Sequence, residues 1–129
     1  MDRTIIREYY LIIKNKISQA RFESAIMSAE KLLHNFPNDY FGHYYKGVCY
    51  FALEKYQDSM KNYVKALELN PGFDKAYFNL GVCYYILRKY DYALINIAKA
   101  LIIFTKQKEL DKKQRCIDAI KYIESERRM

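Results

Sequence analysis

The sequence matches itself when shifted by 34 residues, and that period limits what the chain can fold into. Gly47-Val48-Cys49-Tyr50 falls on Gly81-Val82-Cys83-Tyr84, Leu53 on Leu87, Lys55-Tyr56 on Lys89-Tyr90, and Lys65-Ala66-Leu67 on Lys99-Ala100-Leu101. Phe36-Pro37-Asn38 likewise meets Asn70-Pro71-Gly72, and Phe22 and Ala25 meet Tyr56 and Ser59. A period of this size means one supersecondary unit copied side by side, each copy too small to bury its own apolar face. Apolar residues recur at three- and four-residue spacing, as in Ala76, Leu80, Cys83 and Leu87, so the unit is helical. Only 4 Gly and 2 Pro interrupt 129 residues, which favours long helices over many short strands. The pattern predicts helices over 3–17, 20–34, 40–52, 56–69, 74–86, 90–104 and 109–126, joined by loops of a few residues.

Several segments carry a more specific likeness. Tyr77-Phe-Asn-Leu-Gly-Val-Cys-Tyr84 is followed by Arg88-Lys-Tyr-Asp-Tyr-Ala93 and Lys99-Ala-Leu101. Lys46-Gly47 to Tyr50 continues through Glu54-Lys-Tyr56 to Lys65-Ala-Leu-Glu-Leu-Asn-Pro71. In both, Leu or Lys precedes Gly, Tyr follows three residues on, and a small residue, an aromatic and Ala come after. This resembles the tetratricopeptide repeat (TPR) family over about residues 6 to 107. The resemblance implies an all-α, right-handed α-solenoid: three helix hairpins, about 6–39, 40–73 and 74–107, plus a C-terminal capping helix at about 109–126, in a single domain spanning 1–129.

Each element has a physical reason. Two antiparallel helices approach closely only where side chains are small, and Gly47 opposite Ser59 and Gly81 opposite Ala93 supply that slot. Tyr50, Tyr56, Tyr84 and Tyr90 fill gaps between helices, Ala66 and Ala100 permit close stacking, and Pro37 and Pro71 end second helices. The first repeat departs, with Ile13 in the glycine position, Lys16 in the tyrosine position and Leu32 for Ala. The last segment abandons the pattern, and Leu110, Ile117, Ile120 and Ile123 are expected to form the apolar stripe of a cap.

Catalysis is not expected. His34 and His43 are the only histidines, and Glu30 with His34 is an isolated pair, so no metal or acid–base cluster is implied. No phosphate-binding Gly-rich loop or nucleophile motif is present, and no cofactor is expected. Three cysteines are an odd number without a close pairing motif, which suits a reducing cytoplasm. Cys49 and Cys83 are expected to be small buried apolar residues, and nothing sets Cys116 apart. The most apolar run, Tyr92 to Phe104, is short and contains Asn96 and Lys99, so no membrane insertion is expected. Met1-Asp2-Arg3-Thr4 lacks the apolar core of a secretory signal. The formal charge of +7 is read as lysines on solvated helix faces, and nucleic-acid binding is not expected.

The resemblance also implies where a partner would lie. In this family the first helix of each pair lines a concave groove. The corresponding positions here are Arg7, Tyr10, Leu11, Lys14 and Ile17, then Phe41, Tyr44, Tyr45, Val48 and Phe51, then Lys75, Phe78, Asn79, Val82, Tyr85 and Ile86. The implied function is a protein-interaction module, an adaptor, scaffold or chaperone-like domain. It would hold an apolar, partly acidic peptide or helix of another protein against aromatic residues. TPR chaperones of type III secretion translocators are one known style of similar build. Members that grip the C-terminal carboxylate of heat-shock chaperones use a Lys/Asn/Arg clamp. The slots here read Tyr10 and Lys14, Tyr45, then Lys75 and Asn79, so that clamp is not expected. The alternative is a self-assembling protein, monomer or homodimer, whose groove or open end receives a second copy.

Overall fold

The computed structural model describes residues 2–129. Its helices are α1 (Asp2–Ser18), α2 (Phe22–Asn35), α3 (Tyr40–Ala52), α4 (Tyr56–Leu69), α5 (Asp74–Ile86), α6 (Tyr90–Lys106) and α7 (Leu110–Arg127). No strand occurs among the described residues, and every predicted helix end falls within two residues of the observed one. The helices group into two compact units, residues 1–71 with α1 to α4 and residues 72–129 with α5 to α7.

In the first unit, hairpin α3/α4 closes on a glycine. A Cβ at Gly47 would lie 2.6 Å from the ring of Tyr63, which is 1% exposed. Ser59 Oγ donates to the Gly47 carbonyl at 2.7 Å, so the slot predicted opposite Ser59 is real. Hairpin α1/α2 reverses the sizes. Ile13 occupies the glycine position, and Ala29 stands where Tyr63 stands one period later; both are fully buried in one cluster with Leu32 and Tyr45. Large against small is kept and only the sides are exchanged, so Ile13 and Ala29 stay fully buried despite the first repeat's departure. Between α2 and α3, Ala25, Ile26 and Cys49 form a second cluster, so Cys49 is the buried apolar residue expected.

In the second unit, a Cβ at Gly81 would come within 2.5 Å of Ile97 Cγ1 and 3.2 Å of the Ala93 carbonyl. Ile97 is 1% exposed, a burial worth about 1.5–3 kcal/mol for a side chain of this size. Cys83 is also fully buried. Helix α7 covers α6 through Cys116 and Ile123, which join Phe104, Ala100 and Ile97 in one core. This corrects the expected stripe: Leu110 is 72% exposed, whereas Cys116 is fully buried. Leu110 opens its helix directly after the turn, before α7 comes into contact with α6. The buried pair is therefore Cys116 and Ile123, seven residues apart, flanked by half-buried Ala119 and Ile120.

Four turns share one backbone design. Ala20, Glu54, Arg88 and Lys108 adopt φ of 58°, 60°, 61° and 58°. The following amide in each case reaches back across the turn: Arg21 N to Lys16 O, Lys55 N to Tyr50 O, Lys89 N to Tyr84 O, and Glu109 N to Phe104 O, at 2.8–3.0 Å. This is a six-to-one helix-ending bond with a left-handed residue that is not glycine. The first three turns join the two helices of a hairpin. The fourth joins α6 to α7, so the cap attaches by the within-hairpin turn and not by the proline turn used after α2.

Candidate functional site

The first-helix residues divide by what holds them. On α1, Tyr10 donates its hydroxyl to Asp39 Oδ2 at 2.5 Å, while Asp39 Oδ1 accepts from the Gly42 amide at 2.9 Å and caps α3. The Tyr10 ring meets Phe41 and Tyr45 edge-on, at centroid distances of 5.4 and 5.9 Å. Burial, then the bond and charge of Asp39, raise the Tyr10 phenol well above its ordinary value. Tyr10 is thus a strut between α1 and the start of α3. Tyr45 lies deeper still, 9% exposed, with its phenol pushed up to about 12 mainly by burial. It belongs to the core with Ile13, Ala29 and Leu32, which places it beneath the surface of the proposed groove.

Half-buried apolar side chains remain on α3. Tyr44 lies between Tyr45 and Tyr63, with centroids at 5.7 and 5.8 Å, and Phe51 sits edge-on to Tyr56 at 5.4 Å. Phe41 and Val48 are half-buried, and Arg7, Leu11 and Lys14 of α1 are exposed. Burial and the lysines Lys46 and Lys65 lower the His43 pKa, partly opposed by the Pro37 carbonyl 3.1 Å from Nε2.

In the second unit, Phe78 and Tyr85 both pack against the α6/α7 core, Asn79 and Val82 are half-buried, and Lys75 is exposed. Tyr85 is engaged by the cap. Its hydroxyl donates to Glu126 Oε1 at 2.6 Å, and its ring meets Tyr122 edge-on at 5.9 Å. That bond is the main cause both of the raised Tyr85 phenol and of the lowered Glu126 carboxyl. Arg127 adds a 2.6 Å ion pair to Asp91 at the start of α6. The last turn of α7 is therefore fastened over the Tyr85 position.

Two apolar surfaces escaped the sequence reading. Tyr92, Ile95 and Ile102 on α6 are 58%, 52% and 55% exposed, where the preceding repeat carries Asp58, Lys61 and Glu68. Ile5 and Ile12 on α1 are 44% and 47% exposed. The 34-residue shift marks both against the second repeat alone, which has Asp58, Lys61 and Glu68 opposite the α6 residues and Asp39 and Lys46 opposite Ile5 and Ile12. The third repeat has Phe73 and Leu80 at those last two positions. No helix among the described residues is long and apolar enough to cross a membrane.

Tetratricopeptide repeat models match residues 40–73 and 62–115, together more than half of the sequence. The chain belongs to the tetratricopeptide repeat family. No curated protein sequence matches it. Among solved structures, it is similar to the type III secretion translocator chaperone SycD of Yersinia enterocolitica, with TM-score 0.92 and 15% identity over 100% of this chain and 90% of that one. PcrH in complex with the chaperone-binding region of PopD superposes with TM-score 0.90 and 15% identity, covering 98% of this chain and 96% of PcrH. The TPR2B domain of yeast Sti1 in complex with an Hsp70 peptide gives TM-score 0.86 and 18% identity over 95% and 97% of the two chains. At such identities the likeness establishes the fold, an all-helical TPR array.

Proposed function

We propose that this chain is a non-enzymatic, cytoplasmic adaptor or chaperone-like domain that holds a segment of another protein against its first helices. The carrying observation is the half-buried strip Phe41, Tyr44, Val48 and Phe51 on α3, with exposed Arg7 and Lys14 on α1. The equivalent positions on α5 are Phe78 and Val82, with Lys75 beside them. Broad aromatic contact at low entropic cost, rimmed by cations, suits an apolar segment with acidic flanks. PcrH and the Sti1 domain, similar in fold, have each been solved holding a peptide, which supports the same use here. The lysine and asparagine positions needed to clamp a terminal carboxylate are largely absent, with Tyr10 and Tyr45 engaged in packing. The site is thus assigned to side chains of an internal segment, with Tyr85 available only as far as Glu126 leaves it.

The test is affinity capture from the native cell, followed by titration of the captured protein against Tyr44→Ala/Phe78→Ala. The expected result is at least tenfold weaker binding with unchanged far-ultraviolet helicity. Undiminished affinity in that double variant would remove the strip from the interface.

A further inference from the structure

The outward face of α1 is built unlike its counterpart on α3. The α3 face that meets α2 carries Gly42, where a Cβ would lie 2.7 Å from Leu33, then fully buried Cys49, and Tyr50 packed against Ala25 and Ile26. One period earlier, α1 carries Glu8, Asn15 and Lys16 at those places, with Ile5 and Ile12 in place of Asp39 and Lys46. A glutamate cannot enter the space that glycine leaves in such a contact, so this face is not made to receive another hairpin as α2 receives α3. It is not an ordinary solvated face either. Ile5 and Ile12 are nearly half exposed and, with Glu8, Lys16, Ser28 and Lys31, line a hollow of about 400 Å³.

The order of residues along the face is symmetric in charge. Glu8 lies four residues before Ile12 and Lys16 four residues after it, all on one side of the helix. When two copies of such a helix cross antiparallel, the residue a given number before the crossing meets the residue the same number after it. We infer that this face is an interface between two copies of the chain, with Ile12 at the two-fold axis and Glu8 of each copy opposite Lys16 of the other. The pairing is isologous and closed, because one stripe supplies both halves. Lys16 donates to the buried Ser28 Oγ at 2.7 Å, which orients its ammonium and leaves two further donors for a carboxylate. The chain carries a formal net charge of +7, so two copies repel on average, and Glu8 supplies an acid at the seam to offset that repulsion locally. The interface is small by the standards of stable dimers, about 1,200 Å² or less in total, so association is expected on the order of micromolar.

Sedimentation velocity of the 129-residue chain across a concentration series reads this directly. The wild type is expected to show a monomer–dimer equilibrium. Glu8→Lys and Ile12→Asp, both at exposed positions, should each weaken it at least tenfold without lowering helicity. Lys16→Glu should do the same, and Glu8→Lys/Lys16→Glu should restore association to within about threefold of wild type, because the reciprocal ion pairs re-form with exchanged signs. A wild type that stays monomeric at hundreds of micromolar overturns the inference. So does a dimer indifferent to Ile12→Asp, or a double variant no better than the singles. A monomer whose capture of another protein is lost in Ile12→Asp would give the face to that protein and equally overturn the pairing.

Discussion

Ser59 Oγ lies 2.7 Å from the carbonyl oxygen of Gly47, a buried hydrogen bond between the two helices of one hairpin. The next hairpin places Ala93 against Gly81 and has no such hydroxyl. The bond supplements a carbonyl that is already in a helix, so its loss removes a favourable interaction without orphaning a backbone group. Ser59→Ala is expected to cost about 0.5–1.5 kcal/mol in urea unfolding.

Gly47→Ala is expected to cost more. The added methyl would lie 2.6 Å from a Tyr63 ring that is 1% exposed and packed against Tyr44. Overpacking of this kind costs about 1–3 kcal/mol. Pairing it with Tyr63→Leu should recover part of the loss in a double-mutant cycle, whereas pairing it with Ile97→Leu in the other unit should not.

The left-handed turns offer the opposite sign. Arg88 sits at φ 61° and Glu54 at φ 60°, where a Cβ is strained and glycine is not. Arg88→Gly is expected to stabilise by up to about 1 kcal/mol, since the relief of strain exceeds the added freedom of the unfolded chain. Glu54→Val should destabilise, because a β-branched residue tolerates that region worst. Thermal melts of the two variants should move in opposite directions.

Alkaline pH should unfold the protein early. The Cys49 and Cys116 thiols are pushed by burial from 9.0 to about 11, and Tyr45 from 10.0 to about 12. Each raised group favours the folded state fully below its unfolded value and loses that contribution as pH climbs through the folded one. Stability should therefore fall from about pH 9 upward, by up to about 1.4 kcal/mol per pH unit for each group titrating. On the acid side His43 has the opposite shift, so its contribution holds above pH 6.5 and declines as pH drops below it. Melting temperature against pH should show a shallow acid shoulder and a steep alkaline edge.

The Tyr85–Glu126 bond predicts a local effect. Tyr85→Phe removes the donor that fastens the last turn of α7. Amide exchange should accelerate there while the α5/α6 amides keep wild-type protection. Unchanged exchange at Glu126 and its neighbours would show that Arg127 and Asp91 suffice to hold the helix end.

The 34-residue period carried most of the fold in the amino-acid order itself. It marked the helices, the glycine slots and the buried cysteines, because these follow from local spacing and side-chain size. Ile13 reads as an irregularity in the sequence, and Ala29 standing in the place of Tyr63 at the facing position shows the pair to be a reversed fit; that needs both helices considered together. Leu110 was misplaced for a related reason: periodicity gives the direction of a side chain but not where along its helix a neighbour begins. The candidate site is legible in the sequence as a set of first-helix positions and not as a surface. Tyr10, Tyr45 and Tyr85 bear the same ring as Tyr44, and only the partners Asp39, Ile13 and Glu126 distinguish a strut, a core residue and a latched one.

Cys49, Cys83 and Cys116 are all fully buried, one on each of α3, α5 and α7. Their thiols are protected from alkylating reagents for as long as the surrounding helices stay closed. A reagent in excess would modify each sulfur at the rate at which its own seam breathes, so mass spectrometry of the three peptides would time local opening at three places along an unaltered polypeptide.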